Sequence, residues 1–350
     1  MIMSSAHPSG PAASPASSPA SSPASAPAHP QVKPHARDLP LRVGTRGSPL
    51  ALWQTRHFLD RLRTFCPVLR SMDVFEEHAI RTTGDAVQDR PLADIGGKGL
   101  FAKEIHEALS DGRIDFAVHS LKDLETELPV GIVLACTLTR EDARDALILA
   151  PHLQADPSNP YAALPHGASI GTSSVRRQAQ LLHARPDLRI TGMRGNVQTR
   201  LEKLRNGDCD ASLLALAGLN RLGLSEKASI IIPPDVMLPA ACQGIVGITV
   251  RADDVELLEL LGGIEDPNAK AVSTAERALL AELDGSCRTP IGGYAQLMDG
   301  GMLKLSGLVA RADGSFLLRR DMIGHASDAA RMGHELGASL RADSPRDIFA

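Results

Sequence analysis

The chain has 350 residues, 43% hydrophobic and 22% charged, enough for two or three globular units, and it holds no apolar run long enough for a membrane-spanning helix. Its net charge of -4 and its sparse aromatics (Trp 1, Tyr 2, Phe 7) argue against a surface built to coat or stack on nucleic acid. The five cysteines (Cys66, Cys136, Cys209, Cys242, Cys287) never form a CxxC pair, so a disulfide framework and a zinc site are not suggested, and a reducing, cytoplasmic setting is expected.

Of the first thirty residues, 24 are Ala, Ser or Pro and none is charged, a composition that buries no core. Residues 1–38 are therefore expected to be a disordered tail, and they lack the pattern of a secretory or transit peptide. From Leu41, short β-branched runs alternate with amphipathic stretches, which predicts an α/β fold around a mostly parallel sheet. Strands are predicted over Leu41–Thr45, Met72–Ile80, Ile114–Val118, Ile132–Cys136, Ser169–Gly171, Leu188–Thr191, Ala211–Ala215 and Ile245–Val250. Helical spacing runs through Pro49–Thr64, Leu100–Ser110, Ser174–Ala184 and Val197–Asn206. Beyond Pro267 the order changes to a helix (Ala269–Leu283), strands near Gly293–Leu297, Leu303–Ala310 and Ser315–Arg320 with a hairpin at Ala312–Gly314, and a last helix near Ala326–Leu340. Strands grouped in this way predict a small α+β domain.

Four predicted strand-to-helix junctions expose backbone N–H groups suited to an anion: Ser48-Pro49, Gly96-Gly97-Lys98-Gly99, Gly171-Thr172-Ser173-Ser174 and Gly195-Asn196. Each is accompanied by a cation, namely Arg46, Lys98, Arg176 with Arg177, and Arg194. Any one of them alone reads as an ordinary helix cap, but in an open α/β sheet all four can meet at the carboxyl ends of the strands. With Arg200 and Arg221 they offer at least seven cations to a polyanionic ligand. Arginine is the residue that grips carboxylates in pairs of parallel bonds, and no Walker or GxGxxG motif points to a nucleotide. His119-Ser120-Leu121-Lys122-Asp123 follows an apolar run and reads either as a surface ion pair or as a carboxylate held ionised to stabilise positive charge. Gly285-Ser286-Cys287-Arg288 sets a thiol beside a cation, which reads either as a buried inert cysteine or as a favoured thiolate. Cys242 has no neighbouring charge and reads as a packing residue.

Taken in order, Arg42-Val43-Gly44-Thr45-Arg46-Gly47-Ser48-Pro49-Leu50-Ala51, Gly96-Gly97-Lys98-Gly99-Leu100-Phe101, His119-Ser120-Leu121-Lys122-Asp123, Gly171-Thr172-Ser173-Ser174-Val175-Arg176-Arg177, Arg194-Gly195-Asn196 and Gly285-Ser286-Cys287-Arg288-Thr289-Pro290-Ile291-Gly292 resemble the porphobilinogen deaminase (hydroxymethylbilane synthase) family. The resemblance runs from about Leu41 to the C-terminus. It implies two type II periplasmic-binding-protein-like α/β domains flanking a cleft, over 41–139 with 245–261 and over 140–244, and a C-terminal α+β domain over 262–350. It implies a transferase that condenses four porphobilinogens on a dipyrromethane primer, with loss of ammonia and then hydrolysis to hydroxymethylbilane. By the same resemblance Asp123 is the catalytic carboxylate and Cys287 carries the dipyrromethane as a thioether. Ser120, Lys122, Thr172, Ser174, Arg176, Arg177, Arg194 and Gln243 match cofactor-binding positions, and Arg46, Ser48, Lys98, Arg200 and Arg221 match substrate-binding ones.

The chain departs from the family at Asp94, where many relatives carry Lys, at Glu125, where Pro is usual, and at Cys242, where Gly is usual. A monomer with no nucleic-acid or membrane partner is expected. The chief rival is a binding protein of the same two-domain architecture, against which the loop Cys287 and the third domain stand.

Overall fold

The structure, a computed structural model, describes residues 39–70, 73–87, 99–156, 158–284 and 289–349. The predicted tail, Asp94, Lys98 and Cys287 lie outside the described residues.

Strand β1 (Leu41–Arg46) is buried at Leu41, Val43, Gly44 and Thr45, as befits a strand covered on both faces. The chain then enters helix α1 (Pro49–Phe65), where Ser48 accepts the Ala51 amide and Pro49 takes the first helical turn, a place that needs no N–H. Phe58, Leu59 and Leu62 of α1 pack with Val43 and with Phe116 of β3 (Phe116–Ser120), Phe58 and Phe116 meeting edge to face at 5.7 Å. With β2 (Phe75–Ile80), β4 (Ile132–Thr137) and β10 (Val246–Arg251), these strands form a sheet in the order β2-β1-β3-β10-β4. Helices α2 (Thr83–Ala86) and α3 (Lys103–Ser110) lie in the β2–β3 connection.

A second sheet repeats the plan. Strands β5 (Asp145–Leu149), β6 (Ser169–Gly171), β7 (Arg189–Thr191), β8 (Ala211–Ala215) and β9 (Ile230–Ile232) lie in the order β7-β6-β8-β5-β9. Helices α4 (Val175–Ala184), α5 (Val197–Arg205) and α6 (Leu216–Arg221) follow β6, β7 and β8. In each sheet three neighbouring strands are parallel, and the fourth in spatial order, β10 or β5, is antiparallel to both its neighbours. This is the type II periplasmic-binding-protein arrangement. Four of the five strands in each sheet therefore run the same way, as the mostly parallel expectation has it, and the one that opposes them, β10 or β5, is the strand that follows a crossing from the other sheet.

Helix α7 (Val255–Gly262) returns to the first sheet's core. Helix α8 (Pro267–Glu282), strands β11 (Ile291–Met298), β12 (Met302–Ala310) and β13 (Leu317–His325), and helix α9 (Ala329–Ala342) then build an antiparallel sheet with two covering helices. The helices approach so closely that a β-carbon on Gly333 would lie 2.4 Å from the Ala275 carbonyl.

The chain crosses between the two mixed sheets twice, after β4 and before β10. The crossings are joined to each other, the Glu141 amide donating to Gly244 at 3.0 Å and Arg140 Nε to Gln243 at 2.9 Å. Both also meet α8. Glu276, fully buried, accepts from Arg140 Nη1 at 2.6 Å, from the Cys242 amide, and from the Ala295 amide of β11 at 2.6 Å. Cys242 itself takes a left-handed φ of 62°, a conformation that favours glycine.

Candidate active site

Strand polarity decides what gathers at one rim. Arg46 ends β1, Ser120 ends β3 and Thr172 follows β6. The antiparallel strands begin where these end: Val246 pairs with Ser120, and Asp145 pairs with Ala215, the last residue of β8. The ends of the parallel strands and the starts of β5 and β10 therefore share an edge, which carries the second crossing and Gln243 with it.

Around Asp123 the arrangement is cationic. Leu121–Asp123 form a single helical turn directly after β3, leaving the Asp123 side chain one-third exposed and 3.8 Å from Arg46 Nη1. Arg46 also makes a forked pair with Asp85 of α2, its Nε donating at 3.2 Å, and its guanidinium lies 4.2 Å from the centre of the Phe101 ring. Burial works to lower the Arg46 pKa, but the bond to Asp85 and the charges of Asp123 and Asp85 more than offset it, so the group stays charged. Lys122 turns to Gln243, Nζ donating to Oε1 at 3.2 Å. Burial, with Arg177 and Arg176 adding repulsion, brings the Lys122 ammonium down to about 8 against the pull of Asp123 and Asp145. Ser120 is hydrogen-bonded to the buried Gln54 amide. His119 contacts Thr249 and is kept neutral, burial together with His106 and Arg46 lowering its pKa to about 3.

Across the rim, Ser174 caps α4 by accepting the Arg177 amide, and Thr172 accepts the Ser174 amide at 3.1 Å. Arg176 and Arg177 are buried and grip the fully buried Asp145, with Nη2–carboxylate distances of 2.8 and 2.7 Å. Arg176 Nη1 donates to the Leu238 carbonyl at 2.6 Å and Arg177 Nη1 to the Leu213 carbonyl at 2.9 Å. Burial would raise the Asp145 pKa, but the two arginines, with bonds from Arg177 and Gln243, hold it far below the usual carboxylate range. The sequence count of free cations therefore omitted two carboxylates, Asp145 and Asp85. The reason is local: Asp145 opens a run of Ala and Leu with no turn signal, and Asp85 lies in a short polar segment.

The remaining cations line the same edge. Arg194 donates to the Gly84 and Val87 carbonyls at 3.0 Å each, joining the segment after β7 to α2. Arg200 donates to the Gly195 carbonyl at 2.9 Å, and its pKa falls to about 10 through burial and repulsion from Arg177 and Arg194. Arg221 donates to the Gly244 carbonyl at 2.7 Å and sits 6.0 Å from the Trp53 ring, which stacks on His57. Burial lowers the Arg221 pKa to about 10. Ser48 is engaged as the cap of α1. Sequence reasoning missed Asp145, Asp85, Phe101 and Gln54. For Phe101 alone a signal existed, its place within the quoted Gly96–Phe101 motif.

The buried thiol of Cys242 is pushed up to about 12 by burial and by Glu276, which keeps it from acting as a thiolate.

Two family profiles match the chain. One, described as porphobilinogen deaminase, dipyromethane cofactor binding domain, covers residues 41–259, and the other, porphobilinogen deaminase, C-terminal domain, covers 270–342. The chain is 48% identical over 310 residues to the porphobilinogen deaminase of Paracoccus denitrificans, spanning 89% of this chain and 96% of that one. It is 47% identical over 312 residues to that of Nitrobacter winogradskyi, with the same coverages of 89% and 96%, and 43% identical over 321 residues to the chloroplastic enzyme of Oryza sativa, spanning 91% and 88%. Among solved structures, the VFT2 domain of Bordetella pertussis BvgS aligns at 12% identity and a TM-score of 0.38, over 67% of this chain and 91% of that domain.

Proposed function

Because the chain belongs to the porphobilinogen deaminase family, we propose that Asp123 is its catalytic carboxylate and that Cys287 carries its dipyrromethane through a thioether. The reaction is that of a transferase: four porphobilinogens are joined head to tail with loss of ammonia on a dipyrromethane primer, and water releases linear hydroxymethylbilane for tetrapyrrole and haem synthesis. The observation that carries the Asp123 assignment is its half-buried place at the strand rim, 3.8 Å from Arg46 and next to Lys122, on an edge where cations outnumber carboxylates.

The residues fit a group bearing several carboxylates. Arg176 retains a buried Nε–H with no partner among the described residues, and around Asp145 the cations Arg176, Arg177 and Lys122 leave surplus positive charge. Ser120, Lys122, Thr172, Ser174, Arg176, Arg177, Arg194 and Gln243 would hold the dipyrromethane, which supplies the pyrrole carbon that is extended. Arg46, Ser48, Lys98, Arg200 and Arg221 would take the acetate and propionate groups of the incoming substrate. Asp123 accepts hydrogen bonds from pyrrole N–H groups and stabilises the positive charge that develops as ammonia departs. Phe101 and Asp85 keep the Arg46 guanidinium in one orientation beside that carboxylate.

We further place domain boundaries at 41–139 with 245–261, 140–244 and 262–350, and read the protein as a cytoplasmic monomer acting on porphobilinogen with no nucleic-acid or membrane partner. Intact mass and peptide mapping test the attachment. The wild type and Cys242→Ala should carry two pyrrole units on the peptide containing Cys287, and Cys287→Ala should be folded, unmodified and inactive. An adduct on Cys242 would overturn the assignment.

A further inference from the structure

We propose that Asp145 is a positioning residue for this reaction: its buried carboxylate fixes the Arg176 and Arg177 side chains and, through the Gln243 amide, holds Lys122 beside Asp123. The proposal rests on the reading that Lys122 and Asp123 line the reacting end of the site.

Asp145 has no surface with which to touch a ligand, and both of its oxygens are occupied. Oδ2 accepts from Arg176 Nη2 at 2.8 Å; Oδ1 accepts from Arg177 Nη2 at 2.7 Å and Nε at 3.2 Å, and from Gln243 Nε2 at 2.9 Å. Gln243 Nε2 also donates to the Ala143 carbonyl at 2.6 Å. Turning that amide over would set its oxygen against a carboxylate and a carbonyl, so Oε1 has one orientation, toward Lys122 Nζ at 3.2 Å. The polarity of the chain from carboxylate to amide to ammonium is thus set at Asp145. A ligand-binding lysine that must both keep its charge and hold its place inside the protein gains both from this arrangement.

The charges surrounding Lys122 point the same way. Asp123 faces it from its own turn, Arg176 and Arg177 from α4, and Asp145 from β5. Two carboxylates favour the ammonium and two guanidinium groups oppose it, so Asp145 supplies one of the two supports. Asn at this position keeps the shape and removes the charge. It leaves three neighbouring cations answered by Asp123 alone, and removing an opposite charge at such range moves a pKa by about one unit or more.

The test uses the holoenzyme with Asp145→Asn, Asp145→Glu and Gln243→Met. Two quantities are read against pH: the alkaline limb of kcat/KM, and acetylation of Lys122 by acetic anhydride, followed by peptide mass spectrometry. Asp145→Asn should lower the Lys122 labelling midpoint by about one pH unit, move the alkaline limb with it, and raise KM by a larger factor than it lowers kcat. Asp145→Glu should restore most of the midpoint. Gln243→Met leaves the Asp145–arginine cluster in place and should shift the midpoint in the same direction by less, which keeps the test open should Asp145→Asn fail to fold. A wild-type labelling midpoint in folded Asp145→Asn, or in Gln243→Met, overturns the proposal. A midpoint that moves while the kcat/KM limb stays still supports the positioning of Lys122 and overturns instead its place in the cofactor-binding set.

Discussion

Asp123 is half-buried and has Arg46 at 3.8 Å as its one ion-pair partner among the described residues, so Asp123→Asn removes a charge without opening a cavity or stranding a fully buried group. Its effect should fall on the transition state. We predict at least a ~100-fold loss of kcat with an unchanged melting temperature, read by steady-state kinetics beside thermal unfolding. An Asn variant with most of its kcat would make Asp123 a structural partner of Arg46. The two thiols weighed in the sequence part company at this scale. Cys242 is sealed under Glu276 with its pKa pushed up, which agrees with the packing role read from its uncharged neighbours, and its left-handed φ is a conformation that favours glycine.

At the scale of elements, two buried acids tie segments that are distant in the chain. Glu276 on α8 joins both crossings to β11, and Glu276→Ala would leave Arg140 buried with its counter-charge gone. Breaking such a pair from one side costs about 3–5 kcal/mol, and the loss should appear as a lower urea midpoint. Asp145 joins α4 to the second crossing through Arg176, Arg177 and Gln243. Its folded pKa lies below the unfolded value, so its stabilisation is complete above about pH 4 and is lost as pH falls through the lowered native value. Asp145→Asn should therefore be less stable at neutral pH and lose less on acidification, which urea midpoints at neutral and acid pH will report. Legibility followed the same division. Arg46, Lys122 and Asp123 could be read because each ends a β-branched or apolar run, where parallel α/β sheets place their chemistry. Strands β5 and β9 could not: Asp145–Leu149 is rich in the helix formers Ala and Leu, burial on both faces removes any alternation, and the three-residue β9 is too short to show a period. With β5 went Asp145, since only an antiparallel strand carries its first residue to the rim where its neighbours end. Helices α6 and α7 were also unread, α6 being a single turn and a half that begins directly from β8.

For the molecule as a whole, the family profile's match begins at residue 41, and the Ala/Ser/Pro-rich residues 1–32 contain no Lys or Arg with which to bind a carboxylate. Deleting Met1 to Val32 should leave specific activity within about twofold, roughly 0.4 kcal/mol in barrier, as measured with porphobilinogen under saturating conditions. Between the two mixed sheets the polypeptide passes twice, and the passes are bonded to one another through Glu141 and Gly244. A single connector would permit swivelling in any direction, whereas a bonded pair leaves bending across the pair as the soft direction. On α1, from the first sheet, the indole of Trp53 stacks on His57 and faces Arg221 at the end of α6, from the second. It is the chain's single tryptophan. Any opening along the soft direction changes what lies over that ring, so the intrinsic emission of the unlabelled protein is an optical gauge of the seam, its colour and brightness reporting on one contact with no competing fluorophore of its kind.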